Sequence, residues 1–446
     1  MMDPLIILQS VVVYATFGLG LYLIAKGKAS AIVVFFILPI LWALVAGVPI
    51  QQIPNIVQDG WTMIVSVVLT FLVAGWMARV FMDNGITETI VRKAVELGGG
   101  SPMLTSISVG GAVFICFLSM FGASGAIPLG VIAIPALLGM GISPVLTALI
   151  FLMPSVAGMA INPAAQLFSA TIIVGEANVG AVYADTFPVT AMYAAIGFVS
   201  FVIFVVYNLK IKKNLRATDG GVPLTMLNGG NKEKIQFKKA PWYSLIAVVI
   251  PVVLVFLKVP IIPAFMSALV YGLITAHPPS IRGTMDLFHS SLSQGFKDSA
   301  YIVAIQFAVG MIAYLGLREP IFGNLLQSTL GTIVPVDALG IVILFMMLPL
   351  VIYRGPLTWF GMGALTISAI MGVMTITPLF LWLVTWPATI FQGVMDPTNS
   401  GVCWALGFAK VPEKDYLRKG LVWLWVTWAL VVLVAYFMWP MLGNIY

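Results

Sequence analysis

The run Met395-Asp396-Pro397-Thr398-Asn399-Ser400 decides the fold of this chain. It lies inside an apolar stretch, residues 379–408, that is long enough to cross a bilayer as one helix. Pro397 lacks a backbone donor and disfavours helix at the preceding residue, so the run breaks that helix. Asp396 places a carboxylate at membrane depth, where charges are expensive and mark function. Irregular backbone at that depth lines a cavity or is buried in protein, which predicts a binding site on a broken helix of a secondary transporter.

A second break has the same form. Asn162-Pro163 lies inside another apolar stretch, residues 144–174. The offset that carries Asp396-Pro397 onto Asn162-Pro163 also carries Pro378 onto Pro144. The order of predicted elements around both breaks agrees as well. These coincidences predict a duplicated unit.

Composition excludes a water-soluble protein. Hydrophobic residues make up 61% of the chain and charged residues 9%, which indicates a polytopic α-helical membrane protein surrounded by lipid. The net charge of +6 does not indicate a nucleic-acid partner, because the basic residues fall in loops between spans. The two cysteines and two histidines form no ligand pattern, so we expect no metal and no cofactor. The first residues lack the basic region and cleavage site of a signal peptide.

The predicted elements follow the same order in both halves. The first half has spans at 4–24, 31–48 and 61–82, an interfacial amphipathic helix at 84–97, a hairpin at 103–140 with its tip at Gly122–Gly125, the first broken helix, and a span at 186–207. The second has spans at 241–257 and 261–276, an amphipathic stretch at 281–296, a span at 300–317, an amphipathic helix at 319–330, a hairpin at 336–377 with its tip at Arg354–Thr358, the second broken helix, and a span at 420–439.

The distribution of charge predicts how these segments cross the membrane. If both hairpins are re-entrant, each half has five crossings, so the halves are inverted repeats with both chain termini outside. All Lys and Arg residues then lie in cytoplasmic segments except Lys258 and Arg318, which lie outside, and Arg354, which lies in the membrane. Counting the hairpin arms as full spans would place a basic cluster outside, against the positive-inside rule. We therefore predict ten spans and two hairpins in the inner (cytoplasmic) membrane of the cell.

Two groups of residues give the chain a resemblance to the ion-transporter superfamily, which includes citrate and divalent-anion symporters, gluconate permeases and lactate permeases. They are residues 83–88 running into Gly98-Gly99-Gly100-Ser101-Pro102, and Asp396-Pro397-Thr398-Asn399 followed by Asp415-Tyr416-Leu417-Arg418. The resemblance implies inverted repeats, a homodimer, and an elevator-type movement of hairpins and broken helices against a scaffold. The corresponding division is a scaffold half at 1–100, a transport half at 101–207, a cytoplasmic linker at 208–240, a second scaffold half at 241–334 and a second transport half at 335–446.

Arg354 and Asp396 are predicted to be the only charges outside connecting and interfacial segments. The guanidinium of Arg354 suits a carboxylate, although it can instead pair structurally with Asp396 or reach the outer face. Asp396 is a candidate ion-coupling residue, with Ser400, or only a counter-ion of Arg354. Each polar candidate can also simply satisfy backbone groups in a bend. The candidate substrate-binding residues are Ser124, Gly125, Asn162, Pro163, Arg354, Gly355, Thr358, Thr398 and Asn399.

These features favour a secondary active transporter of a small organic anion, a carboxylate, coupled to H⁺ or Na⁺. The alternative is a cation/H⁺ antiporter with Asp396 as its ion site. The chain has no nucleotide-binding loop, so ATP is not expected to drive transport directly. It also lacks the His-Glu-x-x-His motif and paired membrane aspartates of intramembrane enzymes, so we do not expect an enzyme.

Overall fold

The computed structural model describes residues 3–175, 179–213, 239–276 and 280–442. These residues form an all-helical protein with no β-strand among them. Seven of the helices in these ranges are long and apolar enough to cross a membrane, or eight if one bent pair is counted as a span. The chain is therefore a multi-pass membrane protein. Most of the predicted linker, residues 208–240, and the C-terminal Tyr446 lie outside the described residues.

The described residues of the first half contain ten α-helices. They are α1 (Pro4–Ala25), α2 (Ala31–Ala46), α3 (Ile53–Thr62), α4 (Val65–Asp83), α5 (Ile86–Leu97), α6 (Pro102–Phe117), α7 (Gly122–Gly139), α8 (Pro144–Met159), α9 (Pro163–Val174) and α10 (Val179–Val206). The break between α8 and α9 bends the pair by 54°. Pro163 is the first residue of α9, a position where its missing N–H costs nothing.

The second half contains the remaining α-helices of the described residues. They are α11 (Ile250–Phe256), α12 (Ile261–Ala276), α13 (Ile281–Leu317), α14 (Pro320–Ser328), α15 (Ala338–Phe345), α16 (Gly363–Val373), α17 (Pro378–Met395), α18 (Ser400–Ala409) and α19 (Glu413–Met438). A 3₁₀ segment, Trp242–Val248, precedes α11. We call α6 to α9 together with α15 to α18 the carrier, because these helices and the segments between them contribute all but one of the described residues that line the cavity presented below.

Helix α13 packs along α4, α3, α2 and α16. Glycines allow the closest crossings. A Cβ atom added at Gly60 would lie 2.8 Å from the Cα of Met311, and one added at Gly295 would lie 2.5 Å from the Cα of Trp76. Any side chain at these two positions would push the helices apart, so α13 is held firmly against α3 and α4.

Several predicted boundaries were wrong. The amphipathic stretch at 281–296 and the span at 300–317 form one uninterrupted helix, because no proline or glycine cluster separates them. The span at 61–82 is divided between α3 and α4, and the span at 241–257 is a 3₁₀ segment followed by the short α11. Helices α2 and α12 have 16 residues each, so the count of ten spans stays a prediction.

The first hairpin also turns earlier than predicted. Its turn covers residues 118–121, and the predicted tip, Gly122–Gly125, forms the first turn of α7. Gly122 has a φ of +61°, a conformation that side chains disfavour, and a Cβ there would lie 3.5 Å from the Oγ of Ser400. The glycine therefore marks the place where α7 meets α18. Helix α7 is itself long enough to span a membrane, so its re-entrant character stays a prediction.

Charges inside helices are more numerous than predicted. Arg79 lies within α4, where its Nε is 3.1 Å from Asp83 and its Nη1 is 3.8 Å from Asp298 of α13. The side chains of Arg79 and Asp298 are each 25% exposed. The prediction that Arg354 and Asp396 are the only such charges was therefore wrong. Arg79 lies inside the span predicted at 61–82, and Asp298 lies where α13 was expected to end and restart.

Candidate functional site

The carboxylate of Asp396 holds the second helix break together. Asp396 is completely buried at the C-terminus of α17. Its Oδ1 accepts hydrogen bonds from the Tyr353 N–H at 3.0 Å and from the N–H and Oγ1 of Thr398 at 2.9 and 2.8 Å. Its Oδ2 accepts from the Arg354 N–H at 3.0 Å and from Nε2 of Gln392 at 2.7 Å. Five donors therefore occupy an acceptor with about four lone-pair sites.

The tip of the second hairpin is shaped to bring two of these donors to Asp396. Tyr353 and Arg354 both have positive φ angles, +57° and +63°. Non-glycine residues rarely adopt this conformation, because their Cβ atoms crowd the backbone. Here it turns two successive N–H groups toward one carboxylate, and this concave arrangement of amides favours an anion. The hydrogen bonds to Asp396 offset the energetic cost of this strained backbone conformation.

The Arg354 side chain is buried, with 1% of its surface exposed, but it does not form a close ion pair. Its Nη1 donates to the Phe360 carbonyl at 2.8 Å, and its Nη2 donates to the Thr398 carbonyl at 3.1 Å. Its Nε lies 4.0 Å from Oδ2 of Asp396 and has no hydrogen-bond partner. A guanidinium has five N–H donors, so a buried cation retains donors for another acceptor.

Asn162 holds the first break in a similar way, but it donates to its hairpin where Asp396 accepts. Its Nδ2 donates to the carbonyls of Phe117 and Met120 at 3.0 and 3.1 Å, at the end of α6. Its Oδ1 accepts from the N–H groups of Ala164 and Ala165 at 3.0 and 3.3 Å, which caps α9. Every hydrogen-bonding group of this buried amide is therefore occupied by backbone.

A cavity lies where both hairpins and both breaks meet. The volume open to the centres of water molecules is about 30 Å³. At about 10–15 Å³ for each water, this accommodates about two or three waters. The residues that line it are Phe117, Phe121, Gly122, Ala126, Leu152, Ser155, Met159, Ala165, Ile302, Arg354, Phe360, Gln392, Gly393, Asn399, Ser400 and Gly401.

The wall of the cavity offers donors. Arg354 is the one charged side chain among its described lining residues, and Asp396 does not line it. Gly122, at the N-terminus of α7, and Ser400, at the N-terminus of α18, face each other across one side. Helix α7 has no side-chain cap, so the amides of its first turn have no side-chain acceptor. The positive ends of two helices and a guanidinium make this an environment for an anion.

The predicted site residues divide into two groups. Arg354, Asn399 and Ser400 line the cavity. The others do not line the cavity and instead shape the backbone around it. Four of them lie at the helix breaks: Asn162, Pro163, Thr398 and Asp396. In the hairpins, Ser124 donates to the Phe121 carbonyl at 2.9 Å, Gly125 packs on Met120, Gly355 lies beside the Leu350 carbonyl, and Thr358 is buried.

Gln392 was missed by the sequence analysis. It lies one helical turn before Asp396 on α17, donates to Oδ2 at 2.7 Å and accepts from Nδ2 of Asn399 at 3.5 Å. The spacing of four residues between Gln392 and Asp396 was a usable signal, because side chains at i and i+4 share a helix face. Ile302 had no such signal, since an isoleucine in an apolar helix has no distinguishing pattern.

No protein-family model matches this chain, and no curated protein matches it at a significant level. The resemblance to the ion-transporter superfamily therefore depends on the motifs quoted above. The geometry of the cavity is independent of that resemblance.

Proposed function

We propose that this protein is a secondary active transporter of a small organic anion. The observation that carries the proposal is the cavity between the hairpins and helix breaks, with Arg354 as its charged lining residue. An anionic group in the cavity would accept hydrogen bonds from the guanidinium and from the uncapped amides of α7. Space for about two or three waters suits the carboxylate group of a small anion.

The hydrogen bonds of Asp396 and its distance from Arg354 support the same proposal. Its two oxygens already accept five hydrogen bonds, and the nearest side-chain nitrogen of Arg354 is 4.0 Å away. Asp396 therefore balances the charge of the buried guanidinium without blocking it. The same saturation argues against the cation/H⁺ antiporter, which requires Asp396 to bind and release an ion. We propose coupling to H⁺ or Na⁺.

The composition of the cavity wall supports an elevator movement. Among the described lining residues, Ile302 of α13 is the one contributed from outside the carrier. A site held by one group of helices and closed by a wall from another can move along that wall. Equivalent packing in the two halves, α8 with α10 and α17 with α19, supports inverted repeats. We propose that α1 to α4 and α11 to α13 form the scaffold and the homodimer contact.

The test is uptake of radiolabelled acetate, lactate, succinate and citrate into proteoliposomes, with H⁺ or Na⁺ gradients imposed separately. We expect gradient-driven uptake of at least one of them. Arg354→Gln should raise the KM for that anion about tenfold or more, since a hydrogen bond to a charged group contributes about 1.5–3 kcal/mol. The control is Arg318→Gln, which removes the same charge from the exposed end of α13.

Two results would overturn the proposal. One is the absence of gradient-driven uptake by folded parent protein for every anion of the panel. The other is an Arg354→Gln variant with the KM of the parent. A cation-for-proton exchange that survives Arg354→Gln would favour the antiporter instead.

A further inference from the structure

Gln306 of α13 is a fully buried amide with no partner. It has 0% of its surface exposed, and neither its Nε2 nor its Oε1 forms a hydrogen bond. Buried amides are normally paired, because leaving such a group without a partner opposes folding. A buried amide without a hydrogen-bond partner therefore indicates that a ligand, a water or a second conformation of the protein supplies one.

The position of Gln306 connects it to the cavity. It follows Ile302 by four residues on the uninterrupted α13, so the two side chains share one face of the helix about 6 Å apart along its axis. Ile302 lines the cavity on the scaffold side. Beyond Gln306, Gly316 of the same helix lies against Ser368 of the second hairpin. Gln306 therefore lies between the present cavity wall and the contact of α13 with α16.

Other orphaned polar atoms occur on the segments around the same cavity. The Oγ of Ser119 in the turn of the first hairpin, the Nε of Arg354 at the tip of the second, and the Oγ1 of Thr389 one turn before Gly393 are all buried without a partner. Ser119 lies between Phe117 and Phe121, which both line the cavity. These atoms belong to segments that contribute residues to the cavity wall.

We propose that Gln306 replaces Ile302 in the cavity wall when the carrier moves one helical turn along α13, and that its amide then donates to the bound carboxylate. The inference rests on the proposed transport function. By the predicted topology, α13 begins at the cytoplasmic side and ends outside at Arg318. Gln306 is therefore the scaffold contact of the outward-facing site, and Ile302 that of the inward-facing site.

The experiment compares the two faces of the membrane. Uptake of a carboxylate that the parent transports, chosen from acetate, lactate, succinate and citrate, is measured in right-side-out and in inside-out vesicles. We expect Gln306→Leu to raise the KM at the external face about tenfold and to leave the KM at the internal face unchanged.

A purely structural role would give different results. Because the amide has no partner, Gln306→Leu should not lower the melting temperature of the purified protein. The matched control is Thr105→Val, which removes another buried partnerless polar atom, on α6 and away from the cavity, and should change neither KM. An unchanged external KM in Gln306→Leu, or a rise at both faces or at the internal face alone, would overturn the inference. Failure of the parent to transport any of the anions would instead overturn the proposed function, and this inference with it.

Discussion

The change Asp396→Asn tests whether this carboxylate organises the second hairpin. In the parent, Oδ2 accepts from the backbone of Arg354 and from Gln392, while Oδ1 accepts from the backbone of Tyr353 and twice from Thr398. The substitution keeps the shape of the side chain and replaces one of these acceptors by an NH₂ group. We expect the variant to be strongly destabilised.

The magnitude follows from the number of donors on each oxygen. The new NH₂ group is best tolerated in place of Oδ2, because Gln392 can turn its amide to accept from it. The Arg354 N–H then still loses its acceptor. A hydrogen bond to a charged group contributes about 1.5–3 kcal/mol, so we expect a loss of at least about that size. The loss of the negative charge 4.0 Å from the Nε of buried Arg354 acts in the same direction.

The measurement is unfolding of the purified protein in detergent, with Asp337→Asn as the matched control. Asp337 is an exposed N-cap that accepts one hydrogen bond, from the Gly340 N–H at 2.9 Å. Asparagine caps helices about as well as aspartate, so this control should melt with the parent.

The double variant Arg354→Gln/Asp396→Asn separates two explanations. If the backbone donors dominate, it remains as unstable as Asp396→Asn, because those donors are still present. Recovery to the stability of the parent would show that the side-chain pair dominates and would refute this reasoning. So would an Asp396→Asn variant that melts with the parent.

Three further predictions concern the frame around the site. Asn162→Ala should lower the free energy of unfolding by about 2–6 kcal/mol, since it orphans two carbonyls and uncaps α9; a shift below about 1 kcal/mol would contradict this. Gly295→Ala should prevent the packing of α13 on α4 and abolish folded yield, whereas Gly18→Ala, with nothing within 4 Å, should express normally; equal yields would contradict the close crossing. A cysteine pair at Phe71 and Phe121, whose ring centroids are 4.6 Å apart, should arrest transport when joined by a short bifunctional reagent, and continued uptake at full crosslinking would exclude an elevator.

The membrane character and the two helix breaks could be predicted from the sequence because they depend on local chemistry. Proline removes a backbone donor wherever it stands, so Pro163 and Pro397 mark breaks without knowledge of tertiary structure. The burial of Arg354 and Asp396 followed from two charges in long apolar stretches. Duplication, topology and elevator movement stay predictions.

The roles of individual site residues could not be predicted, because they depend on how distant segments meet. Asp396 accepts from Tyr353 and Arg354 of the hairpin tip, and the left-handed backbone of these two residues has no sequence signature. The amide of Asn162 donates to Phe117 and Met120, which no local pattern indicates. In both cases the partner lies dozens of positions away in the chain. The predicted roles of Asp396 in ion coupling and of Asn162 in substrate binding stay predictions.

The different hydrogen bonding of Asn162 and Asp396 to their hairpins bears on the ancestry of the chain. The offset that relates Asn162 to Asp396 also relates Met120 to Arg354. If the halves descend from one duplicated gene, the two copies have diverged at the break and at the facing residue of the hairpin. One copy closes its break with a neutral amide, and the other closes its break with a carboxylate beside a buried guanidinium. The buried charges would then be a property of the second copy alone.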